Sequence, residues 1–199
     1  MCPDDRRKAI VSVLVPLLVE RGGEVTTREI ARAAGIAEGT IFRVFPDKRS
    51  LLLAAAEEAI NPADGQALFD AALAGVADLR DKVVVAAARV LDRMQLTMTV
   101  MGAVRPHLVA AFHEEQAKGG KPRIGPPDFV LRAQADLHER LTGLFDPHRD
   151  ELATTPEIAA IALRSLIFGA SRPELGMDAV LAPEQIADLL LDGVLRRVG

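Results

Sequence analysis

The chain has 199 residues, enough for one large core or two small ones, and with 49% hydrophobic residues it is too apolar to be a disordered chain. A net charge of −4 excludes a protein that is basic all over, and the single cysteine, Cys2, excludes an intrachain disulfide and points to a reducing, cytoplasmic setting. No apolar run reaches the length of a membrane span, and charges flank Ile10–Val19 on both sides, so neither a transmembrane helix nor a signal peptide is expected.

The charge is unevenly spread. Residues 1–50 hold nine Lys/Arg against seven Asp/Glu, whereas the remainder holds fifteen against twenty-one. A mildly basic front on an acidic body is compatible with phosphate contact, because such contacts follow the local field rather than the total.

From the front, residues 4–21 predict a helix with Ile10, Val13, Leu14, Leu17 and Leu18 on one stripe, kinked at Pro16 and ended by Gly22-Gly23. Thr26 and Glu29 form a Thr-x-x-Glu box that caps a second helix, in which Ile30 and Ala34 share a face. Gly35 supplies the positive φ of a tight helix-to-helix turn, and Ile36 plugs it. A further helix over about Glu38 to Phe45 turns Ile41 and Phe45 inward and leaves Gly39, Thr40 and Arg43 outward. Pro46 stops it, and Asp47 caps the next helix at Lys48-Arg49-Ser50. This is a helix-turn-helix, whose second helix normally enters the DNA major groove.

Residues Thr26, Ile30, Ala31, Ala34, Gly35, Ile36, Thr40, Ile41, Phe45, Asp47, Lys48 and Leu51 recur at the spacing of one family pattern, and the stretch resembles the DNA-binding module of the tetracycline-repressor (TetR) family. The resemblance covers about the first quarter of the chain. It implies DNA contacts from Thr26, Thr27, Arg28, Glu38, Gly39, Thr40, Phe42, Arg43 and Lys48. Three positions depart from the pattern. Ala37 replaces a capping Ser, and Phe42 and Val44 replace a Tyr and a His that donate to phosphates. Glu38 suits the helix dipole but repels phosphate; it is also able to accept from a cytosine amino group.

Leu51–Ile60 predicts a short connecting helix closed by Asn61-Pro62. Helices follow over Ala63–Gly75, with Leu68, Phe69 and Leu73 on one side, over Asp78 to about Gly102, and from Val104 to Lys118, continuing after Pro106. The Gly/Pro-rich stretch Lys118–Pro127 predicts a loop, and Phe129–Phe145 an amphipathic helix. Thr155 caps a helix from Pro156, and Pro183 begins the last one behind Ala182, a poor cap. The expected architecture is all-α: a three-helix DNA-binding domain over residues 1–50, then a helical effector-binding and dimerisation domain over 51–199.

The last two helices are apolar over more than one stripe and need covering on two sides. Ile158, Ile161, Ser165, Phe168, Ile186, Leu190 and Val194 are therefore expected at a homodimer interface, as the resemblance also implies. Met94, Met98, Met101, Phe112 and Phe129 are candidates for an adaptable pocket taking a small hydrophobic effector. No nucleophile elbow, phosphate-cradling glycine loop or spaced His/Cys ligand set is present, so no catalytic residue, metal or cofactor is expected. The resulting reading is a cytoplasmic, homodimeric, ligand-responsive repressor of a near-palindromic operator, not an enzyme. The alternative is a helical small-molecule binder or enzyme that has lost DNA binding.

Overall fold

Local signals set most of the helix ends in the computed structural model, which describes residues 3–61, 65–117, 126–170 and 181–194. Cys2 and most of the stretch 118–127 lie outside those residues. Helix α1 (Pro3–Arg21) buries Ile10, Val11, Leu14 and Leu18 and continues through Pro16. Pro16 and Ser12, whose carbonyl loses its helical partner to the proline, are both exposed. The missing hydrogen bond therefore falls on the solvent side, where it costs least.

After a 3-10 turn at Gly22–Glu24 come α2 (Thr27–Ala33), α3 (Glu38–Val44) and α4 (Lys48–Ile60). The expected capping box is present: the Glu29 amide donates to the Thr26 hydroxyl at 3.3 Å, and the Thr26 amide to the Glu29 carboxylate at 2.9 Å. Those bonds from Thr26, with help from the Arg21 guanidinium, hold the Glu29 carboxyl below its ordinary pKa. Gly35 takes φ of 66°, as the turn requires. At Ala37 no side chain caps α3. A second capping box opens α4, where the Ser50 amide donates to Asp47 at 2.7 Å and lowers the Asp47 pKa.

By its internal contacts the chain forms two compact units, and α6 (Leu79–Ala117) contributes to both. The first unit comprises Met1–Ala63 and Met94–Val130. Its core joins Ile10, Leu14 and Leu18 of α1 to Ile30, Ile41, Phe45, Leu51 and Leu52, with Val100 and Val104 of α6. Two hydrogen bonds fasten α6 there: the Thr97 hydroxyl donates to the Ala59 carbonyl at 2.9 Å, and His107 Nε2 lies 2.9 Å from the Gly23 carbonyl oxygen. At Gly23 the backbone approaches α6 so closely that an added Cβ sits 2.3 Å from the Ala103 oxygen.

The second unit comprises Asp64–Arg93 and Leu131–Gly199. It holds α5 (Gly65–Leu73), the first part of α6, most of α7 (Asp128–Phe145), a 3-10 segment at Asp146–Glu151, α8 (Pro156–Ala170) and α9 (Pro183–Val194). Val83, Ala86, Ala87, Leu141, Phe145, Leu163 and Ile167 are buried, as is Phe69, but Leu68 points outward. Helix α8 packs on α9, and Arg80 ties the start of α6 to Asp188 at 2.7 Å. The weak cap at Ala182 is relieved by Gln185, whose side chain accepts from the Ala182 amide at 2.9 Å.

The sequence divides this stretch into one helix ending near Gly102 and another starting at Val104, but α6 is continuous, through Pro106 as well. Pro106 and Gly102, the residue whose carbonyl it orphans, are both exposed, while Val100 and Val104 are fully buried beside them. Packing on one side and solvent on the other let the helix pass through the proline. Among the described residues the chain is all-α, with a helix-turn-helix at its front.

Two measurements check these contacts. Gly23→Ala is expected to lower the unfolding free energy by about 1–3 kcal/mol, because α6 backbone has to move away; equilibrium denaturation measures it. Asp47→Ala is expected to cost about 1 kcal/mol at neutral pH. The folded-state pKa of Asp47 is lowered, so this contribution is full above the ordinary carboxylate range and vanishes as pH falls through the lowered value. Urea melts of the two proteins should therefore converge in strong acid.

Candidate nucleic-acid interface

Helix α3 has seven residues, too few to be stable in water alone. Ile41, at 1% exposure, and Phe45, at 0%, anchor it against α1 and α2. The Arg7 guanidinium lies 4.6 Å from the centre of the Phe45 ring, a cation–π contact that closes the far side of this anchor. Arg7, part of the basic triplet at the chain's front, is thus engaged within the domain.

With one side of α3 fixed inward, the other faces solvent. Glu38, Gly39, Phe42 and Arg43 are exposed, and Thr40 is half-buried. Glu38 and Phe42 are one helical turn apart, as are Gly39 and Arg43, so the four form two adjacent ridges. Phe42 is an aromatic ring left 49% exposed. Gly39 has open space around it, since an added Cβ meets no atom within 4 Å. Thr26 and Arg28 are also exposed, and Thr27 and Lys48 are half-buried. Among the described residues Arg28, Arg43 and Lys48 have no carboxylate partner within 4 Å.

One contact here is invisible to periodicity. The Thr27 hydroxyl donates to Glu38 Oε1 in a short hydrogen bond that ties the start of α2 to the start of α3. Thr27 and Glu38, each expected to face DNA separately, form a single polar unit. Eleven positions separate them, and no local rule reports the pairing.

The body residues divide differently. Met94 and Met101 are half-buried and Met98 is 43% exposed, all on one side of α6 at i, i+4 and i+7; Phe129 of α7 is half-buried. The Phe112 side chain lies outside the described residues. A shallow depression lined by Arg149, Leu152, Thr155 and Glu157 includes none of these five. Among the described residues, no group of His, Cys, Asp and Glu is placed to hold a metal ion. His148 instead bridges Glu151 at 2.8 Å and Lys82 at 3.2 Å.

On α8, Ile158 at 53% exposure, Ile161 at 45% and Ser165 face out, with Phe168 half-buried. The expectation for α9 needs correction. Ile186 at 0% and Leu190 at 2% are packed inside the second unit, and Leu189, at 57%, is the outward leucine. Three leucines in a row, Leu189 to Leu191, conceal which of them faces solvent; only the packing against α8 decides it. The Val194 side chain lies outside the described residues. No helix among the described residues is long and apolar enough to cross a membrane.

No curated relative matches the sequence. Residues 10–55 match the family model of bacterial regulatory proteins, tetR family. The whole chain is similar in fold to a putative TetR-family transcriptional regulator from Mesorhizobium loti, at 13% identity and TM-score 0.64, over 98% of this chain and 100% of that one. It is similar also to the reduced form of NemR from E. coli, at 14% identity and TM-score 0.63, over 97% and 100%. A third similar structure is a putative transcriptional regulator from Saccharomonospora viridis in complex with choline, at 18% identity and TM-score 0.60, over 98% and 100%. Residues 10–55 thus carry the helix-turn-helix domain of bacterial regulatory proteins, tetR family, and the fold along the full length is similar to that of solved regulators of that kind.

Proposed function

We propose that the protein is a cytoplasmic repressor that binds a near-palindromic operator as a homodimer and releases it when a small effector occupies the body. Residues 1–50 act as the reading head and residues 51–199 as the effector-binding and dimerisation region. The observation that carries the DNA reading is the outward face of α3, presented by a fully buried Ile41–Phe45 anchor. In this reading Arg43 and Thr40 reach base edges. Lys48 and Arg28 serve the phosphate backbone, and Thr26 and Thr27, whose hydroxyl protons go to Glu29 and Glu38, lie in its immediate surroundings. Gly39 supports it too. It lies in the first turn of α3 with no atom within 4 Å of an added Cβ, so the surface there is open to a closely approaching DNA strand.

Dimerisation is supported by the exposed apolar residues Ile158, Ile161 and Leu189 on α8 and α9. An isologous two-fold pairing through these helices presents two reading heads to successive major grooves. The effector reading rests on the Met94, Met98 and Met101 stripe and on Phe129, soft apolar side chains suited to a hydrophobic ligand. The choline complex of the Saccharomonospora viridis protein supports a small-molecule effector in general. The protein works by binding and needs neither catalytic residue nor cofactor.

Titration of DNA from the region upstream of its own gene tests the proposal. Specific binding at about 10⁻⁸ M or tighter at physiological salt is expected. Micromolar binding without sequence preference favours the other reading, a helical small-molecule binder that has lost DNA binding. Arg43→Ala should relax preference at one base position by about 1–3 kcal/mol, and Lys48→Ala should weaken all sequences alike and reduce the salt slope by about one. An unchanged salt slope for Lys48→Ala removes that residue from the phosphate contacts. Ile161→Arg should convert the dimer to a folded monomer in sedimentation, because an unpaired charge enters the interface. Ile186→Ala should instead lower stability by about 2–5 kcal/mol, as for a core residue.

A further inference from the structure

We infer that Glu38 and Phe42 together read a cytosine in each half-site, with Thr27 fixing the carboxylate that does so; this rests on the DNA-binding reading above. The two side chains lie one turn apart on the exposed face of α3, and they offer an acceptor beside an apolar surface. In the major groove the four bases offer different edges. Guanine presents two acceptors, adenine an acceptor and a donor, and thymine an acceptor and a methyl group. Cytosine alone presents an amino donor with no acceptor, next to its apolar C5–H edge. A carboxylate next to an aromatic ring complements that edge and is repelled by the acceptors of guanine and thymine.

A free glutamate is a poor reader because it has many rotamers to lose on binding. Here the Thr27 hydroxyl occupies Glu38 Oε1 and holds the side chain in place, leaving Oε2 without a hydrogen bond within the described residues. The open space at Gly39, between Glu38 and the next turn, lets a base edge come close to the helix. The same tie takes the Thr27 proton away from phosphate, so the pair trades backbone grip for base selection.

Selection of bound sequences from a random duplex library, using the full-length protein, Glu38→Gln and Glu38→Ala, tests this inference. The wild type is expected to enrich sites with one cytosine at a fixed position in each half-site, preferred about tenfold or more over other bases. Glu38→Ala should lose preference at that position alone, and Glu38→Gln should shift it towards adenine, whose acceptor–donor edge an amide matches. Thermal melts near that of the wild type establish that both variants are folded, as an exposed side chain leads one to expect. Retention of the same base at every position by both variants overturns the assignment while leaving DNA binding intact. Failure of the wild type to enrich any sequence overturns the DNA-binding reading and this inference with it.

Discussion

The burial of Ile41 and Phe45 against α1 and α2 is the contact on which the outward face of α3 depends. A seven-residue helix gains too few hydrogen bonds to offset its nucleation cost, and α3 begins at Ala37 without a side-chain cap. Its existence and its rotation about its own axis therefore both come from tertiary packing. Because Ile41 and Phe45 leave only one orientation, Glu38, Gly39, Phe42 and Arg43 are directed outward together. The Arg7 guanidinium over Phe45 and the Val100 and Val104 side chains of α6 extend the same core. The first unit is thus four helices completed by part of α6, and its stability is shared with that helix.

The outward face is chemically unusual for a phosphate-binding surface. Phe42 has no hydrogen-bond donor, Val44 packs against the core, and Thr27 spends its proton on Glu38. Positive charge on this front region comes from Arg28, Arg43 and Lys48, and Glu38 opposes it. In the proposed DNA reading such a face gives a modest grip on the backbone and leaves discrimination to shape and to the direction of a few polar atoms. Such a balance favours selectivity over nonspecific affinity, since the nonspecific part scales with the number of phosphates neutralised.

In the second unit, α8 shows how one helix serves two surfaces. Ala159, Ala160, Leu163 and Ile167 fill the unit's own core, while Ile158, Ile161 and Ser165 line the opposite side. Ile158 and Ile161 leave an exposed apolar strip there, the surface proposed for pairing. On α9 the same division places Leu189 outward and Ile186 and Leu190 inward.

Features controlled by neighbours in sequence were legible from the amino acids. The Thr26–Glu29 box, the positive φ at Gly35, the Asp47 cap and the inward turn of Ile30, Ile41 and Phe45 follow from interactions within one or two helical turns. The all-α class followed from the same periodicity. Four features were decided by tertiary structure alone: the Thr27–Glu38 tie, the close approach of Gly23 to Ala103, the passage of α6 through Pro106 and the inward orientation of Ile186 and Leu190. The ties join residues far apart in the chain. A proline's effect on α6 depends on which side of the helix meets solvent, and a run of apolar residues faces the core only where a partner helix covers it. Local chemistry chooses helices and their ends, whereas long-range packing chooses which of their faces remain to act.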